Sequence, residues 1–539
     1  MSTTFEQAAA RLGLSPEALL PYGRDKAKVL PGVLERPASG AGRLVLVSAI
    51  TPTPAGEGKT TTSIGLAQGL QRVGERACLA LREPSLGPCF GMKGGGTGAG
   101  LATIEPSVDI NLHFTGDLHA ITSANNLLSA MVDNHLHYRL EPRLDPRRVS
   151  WKRVLDLNDR SLRQVLVGLG GPNQGVPREA GFDITAASEV MAMLCLARDE
   201  ADLRAKLSRT IVGFDESGKP VTAAEVGAVG AMMALLRDAL LPNLVASVEG
   251  VPALVHGGPF ANIAHGCNSL IATRHAMHLA DWVITEAGFA FDLGGEKFLD
   301  IKCAGAGLEV SAVVLVATVR ALRYHGGADD FGATNAEAVE RGLCNLDRHL
   351  DSVGQFGLPA LVAINRFTTD TEAELELIVR HCAARGVQAV VSDHFARGGE
   401  GSEALARALV GIAAPTPVRR LYGDELPVPE KIRAIAQRVY GARDIAIADE
   451  ALTDLGRIRR LGLHRLPICM AKTQYSLSDD PSLRGRPEGF DVHVQRVLLS
   501  AGAGMLVVLT GEMMRMPGLP KRPHALDVDL VDGRIVGIS

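Results

Sequence analysis

A loop rich in small residues, TPAGEGKT, is the segment of this chain best suited to chemistry. Glycines at its centre let backbone N–H groups converge on one anion, and a helix that begins there adds a positive dipole end. Lys59 would reach the outer phosphates of a nucleotide, and Thr60 would offer its hydroxyl to Mg²⁺. The pattern therefore predicts a nucleotide-phosphate site. Its members are Thr53, Pro54, Ala55, Gly56, Glu57, Gly58, Lys59 and Thr60.

The flanks of this loop strengthen the prediction. A short apolar run at residues 44–50 precedes the loop, and a helix-like run at residues 61–73 follows it. The usual form of the pattern begins with Gly where this chain has Thr53, so the strand, loop and helix context carries much of the inference. The alternative is an ordinary turn between a strand and a helix.

Arg82 is a second candidate, because it follows the next apolar run at residues 77–81. Connections between parallel strands are right-handed, so the end of this run is expected beside the phosphate loop. There the planar guanidinium of Arg82 would bind an anionic substrate or a transferred phosphoryl group. An exposed arginine at a strand end is the alternative, and the sequence leaves both open.

Four further residues have side chains that suit a nucleotide or heteroaromatic ligand. Asp117 in FTGDLHA would orient Mg²⁺ waters or help a proton leave, although many such acids only cap helices. Phe289, Phe367 and Phe395 each follow a predicted strand in a chain with only 4% aromatic residues, so they would supply flat faces for a ring. Taken singly, each of these phenylalanines fits a place in the core better than a place in a site.

The elements that position these residues repeat one pattern, in which an apolar run is followed by Gly, Pro or polar residues and then a helix-like stretch. The runs are residues 44–50, 77–81, 252–255, 282–285, 360–364 and 387–391. Such alternation predicts an α/β protein with a parallel sheet covered on both faces, and ligands bind beyond the carboxyl ends of its strands. Gly- and Pro-rich stretches divide the chain into a phosphate-loop domain at 1–330 and smaller α/β domains at 331–425 and 426–539.

Composition excludes several classes of function. With 539 residues, a formal net charge of −4 and 22% charged residues, the chain has no basic excess for nucleic acid or an anionic membrane. No apolar run approaches the length of a membrane span, and the N-terminus lacks the apolar core of a signal peptide, so a cytoplasmic protein is expected. The eight cysteines contain no CxxC pair and are expected to be buried thiols.

Taken together, these segments resemble the formate–tetrahydrofolate ligase family, and the similarity runs almost from end to end. The segments that carry it include PYGRDKAKV at Pro21, TPTPAGEGKTTTSIGL at Thr51, REPSLGP at Arg82, FTGDLHAITSANNLLSAMVDNH at Phe114, HGGPFANIAHGCNS at His256, INRFTTDTEAEL at Ile364 and AKTQYSLSDDPSLRGRPEGF at Ala471. So many long matches in one order are very specific. The resemblance implies a P-loop NTPase-like sheet domain.

The resemblance also implies the reaction and its participants. Formate, MgATP and tetrahydrofolate would give 10-formyltetrahydrofolate through formyl phosphate, with Lys59, Arg82 and Asp117 in catalytic roles. Phe367 and Phe395 match positions that flank the folate, and Phe289 matches another aromatic of that site. A monovalent cation and a homotetramer are further implications, with no membrane or nucleic acid as partner.

Three positions depart from the family pattern. Leu101 replaces the usual Tyr of the Gly-rich segment at residues 91–101, and Thr103 replaces a Gln, so that segment has lost two polar side chains. Phe291 stands where a small residue is usual, and its bulk is expected to change folate fit. Two alternatives to an active ligase therefore stay open, a nucleotide-dependent switch or partitioning ATPase and a homologue that binds folate and nucleotide with little catalysis.

Overall fold

A mixed sheet of twelve strands forms the centre of the protein in the computed structural model, which describes residues 4–92, 95–511 and 513–538. Numbered in chain order, its strands are β1 Leu19–Pro21, β2 Ala27–Val29, β3 Arg43–Ala49, β4 Ala77–Leu81, β5 Gly98–Ala99, β6 Ala102–Glu105, β7 Asn243–Ser247, β8 Pro252–Val255, β9 Trp282–Glu286, β10 Ala312–Ala317, β11 Ala360–Asn365 and β12 Gln388–Ser392. Across the sheet the order is β1, β2, β7, β8, β4, β9, β3, β10, β11, β12, and the β5–β6 hairpin joins β7 through β6.

The sheet is parallel from β8 to β12 in that order, and β1, β2 and β7 are antiparallel additions at one edge. All six apolar runs predicted from the sequence form strands of this sheet, namely β3, β4, β8, β9, β11 and β12. The predicted α/β class with a mostly parallel sheet is therefore confirmed.

Both faces of the sheet are buried, as a parallel sheet requires. On β3, Leu44 and Leu46 belong to one apolar core, whereas Val45 and Val47 belong to another on the opposite face. The helix that follows the phosphate loop, Lys59–Arg72, packs into the second core. The other α-helices are Thr4–Arg11, Leu86–Phe90, Ser107–Asn111, Asp117–His137, Glu189–Leu196, Glu200–Ser208, Val229–Leu236, Leu270–Leu279, Ala304–Ala306, Val319–His325, Ala336–Gln355, Glu372–Ala384, His394–Arg397, Glu403–Ile412, Val428–Ile435 and Asp449–Arg460.

A third apolar core lies around the helix Asp117–His137. It is joined by alternate residues of the strand Ile468–Ala471, whose other residues face the first core. Among the described residues, two small sheets outside the central one have three strands. In one, Ile211–Asp215 lies between Leu144–Val149 and Pro220–Thr222, and in the other, Met505–Leu509 lies between Ile468–Ala471 and Arg496–Ser500. The others are strand pairs, namely Arg153–Leu155 with Phe182–Ile184, Val165–Val167 with Arg178–Ala180, Asp444–Ile447 with Asp491–Val494, and Asp529–Val531 with Arg534–Val536.

The central sheet continues across the boundary predicted at residue 330. Strands β11 and β12 come from the range 331–425, yet β11 pairs with β10 and β12 pairs with β11, so both extend the sheet that carries the phosphate loop. The division into three domains otherwise stays a prediction. Across the described ranges, no helix combines the length and apolar character needed to cross a membrane.

A buried ion pair joins the segments that follow β10 and β11. Arg323 donates from Nε to Oε1 of Glu374 at 2.9 Å and from Nη2 to Oε2 at 2.6 Å, and neither side chain is exposed. Thr371 and Glu374 also form a capping box at the start of the helix Glu372–Ala384. Burial acts to raise the pKa of Glu374, but the bonds from Arg323 and Thr371 outweigh it and lower this pKa to about 2.

We predict that Glu374→Gln lowers the free energy of unfolding by about 3 kcal/mol at neutral pH, because it leaves the Arg323 charge buried without its partner. A depressed pKa stabilises the fold above the unfolded-state value of about 4.3. That contribution is lost as pH falls toward 2, so the difference between wild type and variant should shrink over this range. Urea unfolding at pH 7 and pH 3 measures it, with exposed Glu376→Gln on the same helix as control. A difference independent of pH would contradict the assignment.

Candidate active site

The carboxyl ends of six neighbouring strands form one polar edge of the sheet. These strands are β4, β9, β3, β10, β11 and β12. In that order, the residues at or just beyond their ends are Arg82, Glu286, the phosphate loop, Thr318, Phe367 and Phe395. Because these strands are parallel, the residues that follow them lie along the same edge of the sheet.

The phosphate loop is a tight turn that leads into the helix Lys59–Arg72. Gly56 has φ 76° and Gly58 has φ 72°, a left-handed conformation that glycine adopts without steric cost. A Cβ on Gly58 would lie 2.6 Å from Nδ2 of Asn365, whereas a Cβ on Gly56 would meet no atom within 4 Å. Pro54 and Ala55 are exposed at the tip of the loop. Position 58 therefore favours glycine for two reasons, its left-handed backbone conformation and the closeness of Asn365.

Glu57 holds the loop from beneath rather than facing a ligand. Its buried carboxylate accepts hydrogen bonds from the N–H and hydroxyl of Thr53, at 2.6 and 2.9 Å, and from the hydroxyl of Thr318. Burial raises the pKa of Glu57 above its usual value despite these bonds. Asn365 donates to the Glu57 carbonyl at 3.2 Å, and Arg320 donates to the Gly56 carbonyl at 2.6 Å. Side chains beyond β10 and β11 therefore fix the shape of the loop.

Glu286 brings the loop and Arg82 together. It ends β9, which lies between β3 and β4, and its carboxylate is largely buried. Oε2 accepts a hydrogen bond from the Thr60 hydroxyl at 2.9 Å, while Oε1 accepts from Arg82 at 3.2 and 3.3 Å. Burial lowers the pKa of half-buried Lys59, although the nearby Glu286 charge opposes this shift. Thr60 and Arg82 thus bind the two oxygens of one carboxylate.

Glu286 was not among the site residues predicted from the sequence, although a signal for it existed. Its place at the end of a predicted strand was visible in the pattern, but only the structure shows that this strand lies between those of the loop and of Arg82. Arg320 gave no such signal, because it lies within the helix Val319–His325 and reaches the loop only through the order of the strands.

Asp117 lies in a buried network beside the site. Its Oδ1 accepts from Nζ of Lys28 at 2.7 Å and its Oδ2 accepts from Nδ2 of Asn243 at 2.8 Å. Burial raises the pKa of Glu83 well above its usual value, and the negative charge of Asp117 adds to the rise. Glu83 follows Arg82 directly, so this network adjoins the site. Within the described ranges, none of the hydrogen bonds or ion pairs of Asp117 reaches the phosphate loop or Arg82.

The three phenylalanines border the polar edge in different ways. Phe289 is half-buried with φ 59°, a conformation rare outside glycine and often found at ligand sites. The Phe367 ring lies under the guanidinium of Arg320, 4.9 Å from its carbon, and so touches the residue that holds the loop. Phe395 is 55% exposed, which fits a face left open for a ligand and does not fit a place in the core.

The Gly-rich segment forms part of the same edge. Gly98–Ala99 and Ala102–Glu105 pair as the β5–β6 hairpin, and Leu101 lies at its turn with 52% exposure. The Leu101 N–H donates to the Phe395 carbonyl at 3.0 Å, so the backbones of these two residues are neighbours. Thr103 donates to the Gly100 carbonyl at 3.0 Å within the hairpin. Lys93 and Gly94 of this segment lie outside the described residues.

Phe291, whose bulk is expected to change folate fit, lies in the interior, and that expectation stays a prediction. Its side chain is fully buried, and its ring meets that of Phe356 edge to face at 5.8 Å between centroids. It lies in an irregular helical turn, Phe291–Gly295, that packs into the first apolar core. The larger side chain therefore fills the interior.

This edge of the sheet carries side chains that can bind phosphates and a cation that prefers oxygen ligands. Lys59 and Arg82 supply positive charge, the N-terminus of the Lys59–Arg72 helix supplies N–H donors, and Thr60 with Glu286 supplies oxygen ligands. In the part of the chain that the structure describes, no cluster of three or more His, Cys, Asp or Glu side chains is arranged to hold a metal by itself. A cation here would therefore share its ligands with a bound phosphate.

Comparison with known proteins places the whole chain in one group. A family model described as formate–tetrahydrofolate ligase matches residues 1–539. The formate–tetrahydrofolate ligase of Myxococcus xanthus (strain DK1622) is 58% identical over 537 residues, which are 98% of this chain and 98% of that protein. Those of Hyphomonas neptunium (strain ATCC 15444) and Paracoccus denitrificans (strain Pd 1222) are each 56% identical over 540 residues, which are 99% of this chain and 97% of either relative.

We predict that Gly58→Ala weakens ATP binding more than Gly56→Ala does. Both substitutions force alanine into a left-handed conformation at a cost of about 1–2 kcal/mol, but only Gly58→Ala also drives a Cβ toward Asn365. Calorimetric titration with MgATP, beside the unfolding midpoint of each variant, gives the comparison. Equal ATP affinities in the two variants would mean that Asn365 does not constrain the loop.

Proposed function

The chain belongs to the formate–tetrahydrofolate ligase family, and we propose that the edge around Lys59, Arg82 and Glu286 forms its product through formyl phosphate. The overall reaction converts ATP, formate and tetrahydrofolate into ADP, phosphate and 10-formyltetrahydrofolate, so the protein is an ATP-dependent ligase. In the first step a formate oxygen attacks the γ-phosphorus and ADP leaves. In the second step the bridging amine of tetrahydrofolate attacks the formyl carbon, phosphate leaves and the amine loses its proton.

The observation that carries this proposal is that Thr60 of the loop and Arg82 of the neighbouring strand both hydrogen-bond Glu286, with Lys59 preceding Thr60 in the loop. Phosphoryl transfer depends mainly on positioning and on neutralising the charge of the equatorial oxygens. Lys59 supplies a compact charge at the end of the loop, and Arg82 supplies a planar fork from the opposite side. We assign Lys59 to the outer phosphates of ATP and Arg82 to the transferred phosphoryl group.

Glu286 then acts as a positioning residue. Its carboxylate keeps the Thr60 hydroxyl and the Arg82 guanidinium on facing sides of the phosphate site. Without it, Arg82 would be half-buried with no carboxylate partner among the described residues, and that charge would be costly. The preorganisation of Arg82 is therefore built into the sheet.

Thr60 and Glu286 also fit Mg²⁺. This ion prefers oxygen ligands and is usually held by one or two protein side chains together with substrate phosphates. A hydroxyl and a carboxylate 2.9 Å apart at the end of the loop match that donor set. When bound, Mg²⁺ would neutralise charge on the β- and γ-phosphate oxygens. The arrangement of loop, lysine, threonine and acidic strand end supports our proposal of a P-loop NTPase-like domain.

We propose that Asp117 belongs to the catalytic site because its negative charge acts on the groups beside it. It adjoins Glu83, whose buried Oε2 has no hydrogen-bond partner among the described residues. A monovalent cation bound there would balance two neighbouring carboxylates against the single ammonium of Lys28. We propose this as the place of the monovalent cation that the family resemblance implies.

We propose that the folate lies over the end of the sheet where Phe367 and Phe395 emerge. These residues follow adjacent strands, and the exposed Leu101 borders the Phe395 side. A flat pteridine or benzoyl ring stacks well on such faces. Phe289 belongs to the same proposal, because Gly288 before it packs against Arg82. The bridging amine would then lie near the formyl group.

Three further properties of the protein remain proposals. A homotetrameric assembly comes from the family resemblance, whereas a cytoplasmic location and the division into domains at 1–330, 331–425 and 426–539 come from the sequence pattern. The family match over the whole chain argues against a nucleotide-dependent switch. A homologue that binds its ligands with little catalysis is tested by the assays that follow.

We predict that the purified protein forms 10-formyltetrahydrofolate only when formate, MgATP and tetrahydrofolate are all present. The product is measured after acid conversion to the methenyl form. Lys59→Ala should abolish turnover, at a cost of several kcal/mol at the transition state, roughly 3 or more. Arg82→Lys keeps the charge but loses the fork, so it should reduce formyl-phosphate formation more than ATP affinity. Product formed equally well without formate would overturn the proposed reaction.

A second prediction concerns the Leu101 and Thr103 departures. If the family's Tyr and Gln hold the formyl donor against the folate, this chain should release more ADP than 10-formyltetrahydrofolate, because formyl phosphate hydrolyses. Leu101→Tyr with Thr103→Gln should bring the ratio of ADP to product closer to one, since each added hydrogen bond contributes about 1 kcal/mol. The ratio is measured at equal folate saturation in both proteins. A ratio near one in the wild type, unchanged in the variant, would show that these positions are neutral.

A further inference from the structure

A cavity of about 280 Å³ lies between the helix Asp117–His137 with its neighbouring strands and the C-terminal part of the chain. One side is formed around Trp151 and Phe214, and the other by the helix Asp449–Arg460 and the strand Arg496–Ser500. Its floor includes Ile263 and Ala264. No residue of the phosphate loop, and neither Arg82 nor Glu286, lines it.

The charged side chains that line this cavity carry a net positive formal charge. They are Lys152, Arg457, Arg496 and Arg515 against Asp183, Glu189 and Asp454. Each carboxylate has at least one partner in the protein, although the buried Oδ1 of Asp183 accepts no hydrogen bond from a described residue. Asp454 accepts two hydrogen bonds from Arg496 and one from a backbone N–H, at 2.7, 3.2 and 3.1 Å. Glu189 accepts from two backbone N–H groups at 2.7 and 3.2 Å, and burial raises its pKa above the usual value.

Three of the cations keep donors that no described residue uses. Arg457 is exposed and has no carboxylate within ion-pair distance among the described residues. The carbon of its guanidinium lies over the Phe214 ring, 5.2 Å from the ring centroid. Arg515 binds Asp183 through Nη2 at 2.7 Å, but its buried Nε has no hydrogen-bond partner in the described part of the chain. Lys152 lies 3.6 Å from Asp183, beyond a hydrogen bond. A buried donor without an acceptor is costly, so an anion in the cavity would relieve that cost.

The rest of the lining suits an apolar ring. Trp151 and Phe214 are half-buried aromatic side chains, and the opposite wall contains Ile458, Leu498 and Val507. The Trp151 ring is fixed in place, because its Nε1 donates to the Asn125 carbonyl at 3.1 Å. Aromatic walls with a few convergent polar groups are typical of small-molecule sites, and a volume of 280 Å³ lies at the lower end of their range.

We propose that this cavity binds a small organic anion whose flat apolar part lies against Trp151 and Phe214 and whose charge is held by Arg457, Arg515 and Lys152. The shared chemistry is that of an aromatic phosphate monoester or carboxylate. A ligand of this kind would also clamp the C-terminal part of the chain against the region around Trp151, since the cavity walls come from both. The site is therefore expected to raise thermal stability when occupied.

The chain carries its own reporter for this binding. It contains two tryptophans, and Trp282 is fully buried in β9, whereas Trp151 lines the cavity. We expect phenyl phosphate or phenylacetate to change the tryptophan fluorescence saturably, with saturating MgADP present to keep the probes from the phosphate loop. The two probes distinguish a phosphate from a carboxylate ligand. Phenol and inorganic phosphate, which each lack one half of the chemistry, should bind at least about tenfold more weakly.

Two substitutions on one helix make the test specific. Arg457→Leu should weaken probe binding by about tenfold or more, because a charge-assisted bond is lost. Arg459→Leu, on the same helix but outside the cavity, should leave binding unchanged. Trp151→Phe should abolish the fluorescence change while calorimetry still detects binding. Absence of saturable binding by either probe in the wild type, or equal affinity in the Arg457→Leu and Arg459→Leu proteins, would overturn the proposal.

Discussion

The arrangement of the site depends on one carboxylate, that of Glu286. It ends the strand between the loop strand and the strand of Arg82, so it is the nearest anchor to both. A hydroxyl from one side and a guanidinium from the other share its two oxygens. In a largely buried setting each partner needs the others, because an unpaired charge there would destabilise the fold. The same constraint that stabilises the sheet edge therefore aims the groups that handle phosphate.

A second set of contacts ties the nucleotide loop to the proposed folate face. Arg320 donates to the Gly56 carbonyl and lies over the Phe367 ring. Glu57, turned inward, binds Thr318 at the end of the next strand. A shift of the loop would therefore also move Arg320 relative to the Phe367 ring, which we assign to the folate site. In the reaction that we propose, this contact would couple the nucleotide loop to the folate face.

The departures from the family pattern differ in meaning once the fold is known. Leu101 stands exposed beside Phe395, at the edge where a folate would lie, so the loss of a polar side chain there bears on chemistry. Phe291 packs edge to face on Phe356 inside the core, so its larger volume is a matter of packing. From the sequence alone, both departures were equally expected to affect function. The structure distinguishes them, because Leu101 is exposed and Phe291 is buried.

The sequence by itself determined the local features, namely the strand runs, the glycine turn, the placement of Lys59 and Thr60, and Arg82 after the next strand. These follow from apolar runs and from glycine's conformational freedom, which act between near neighbours. Tertiary structure alone decided that Glu286 meets Thr60 across 226 residues, and that Arg320 meets Gly56 across 264. It also decided that residues around Trp151 and Arg457 enclose one cavity. The reason is that such contacts depend on the order of strands and on which cores are shared, and no local pattern specifies either.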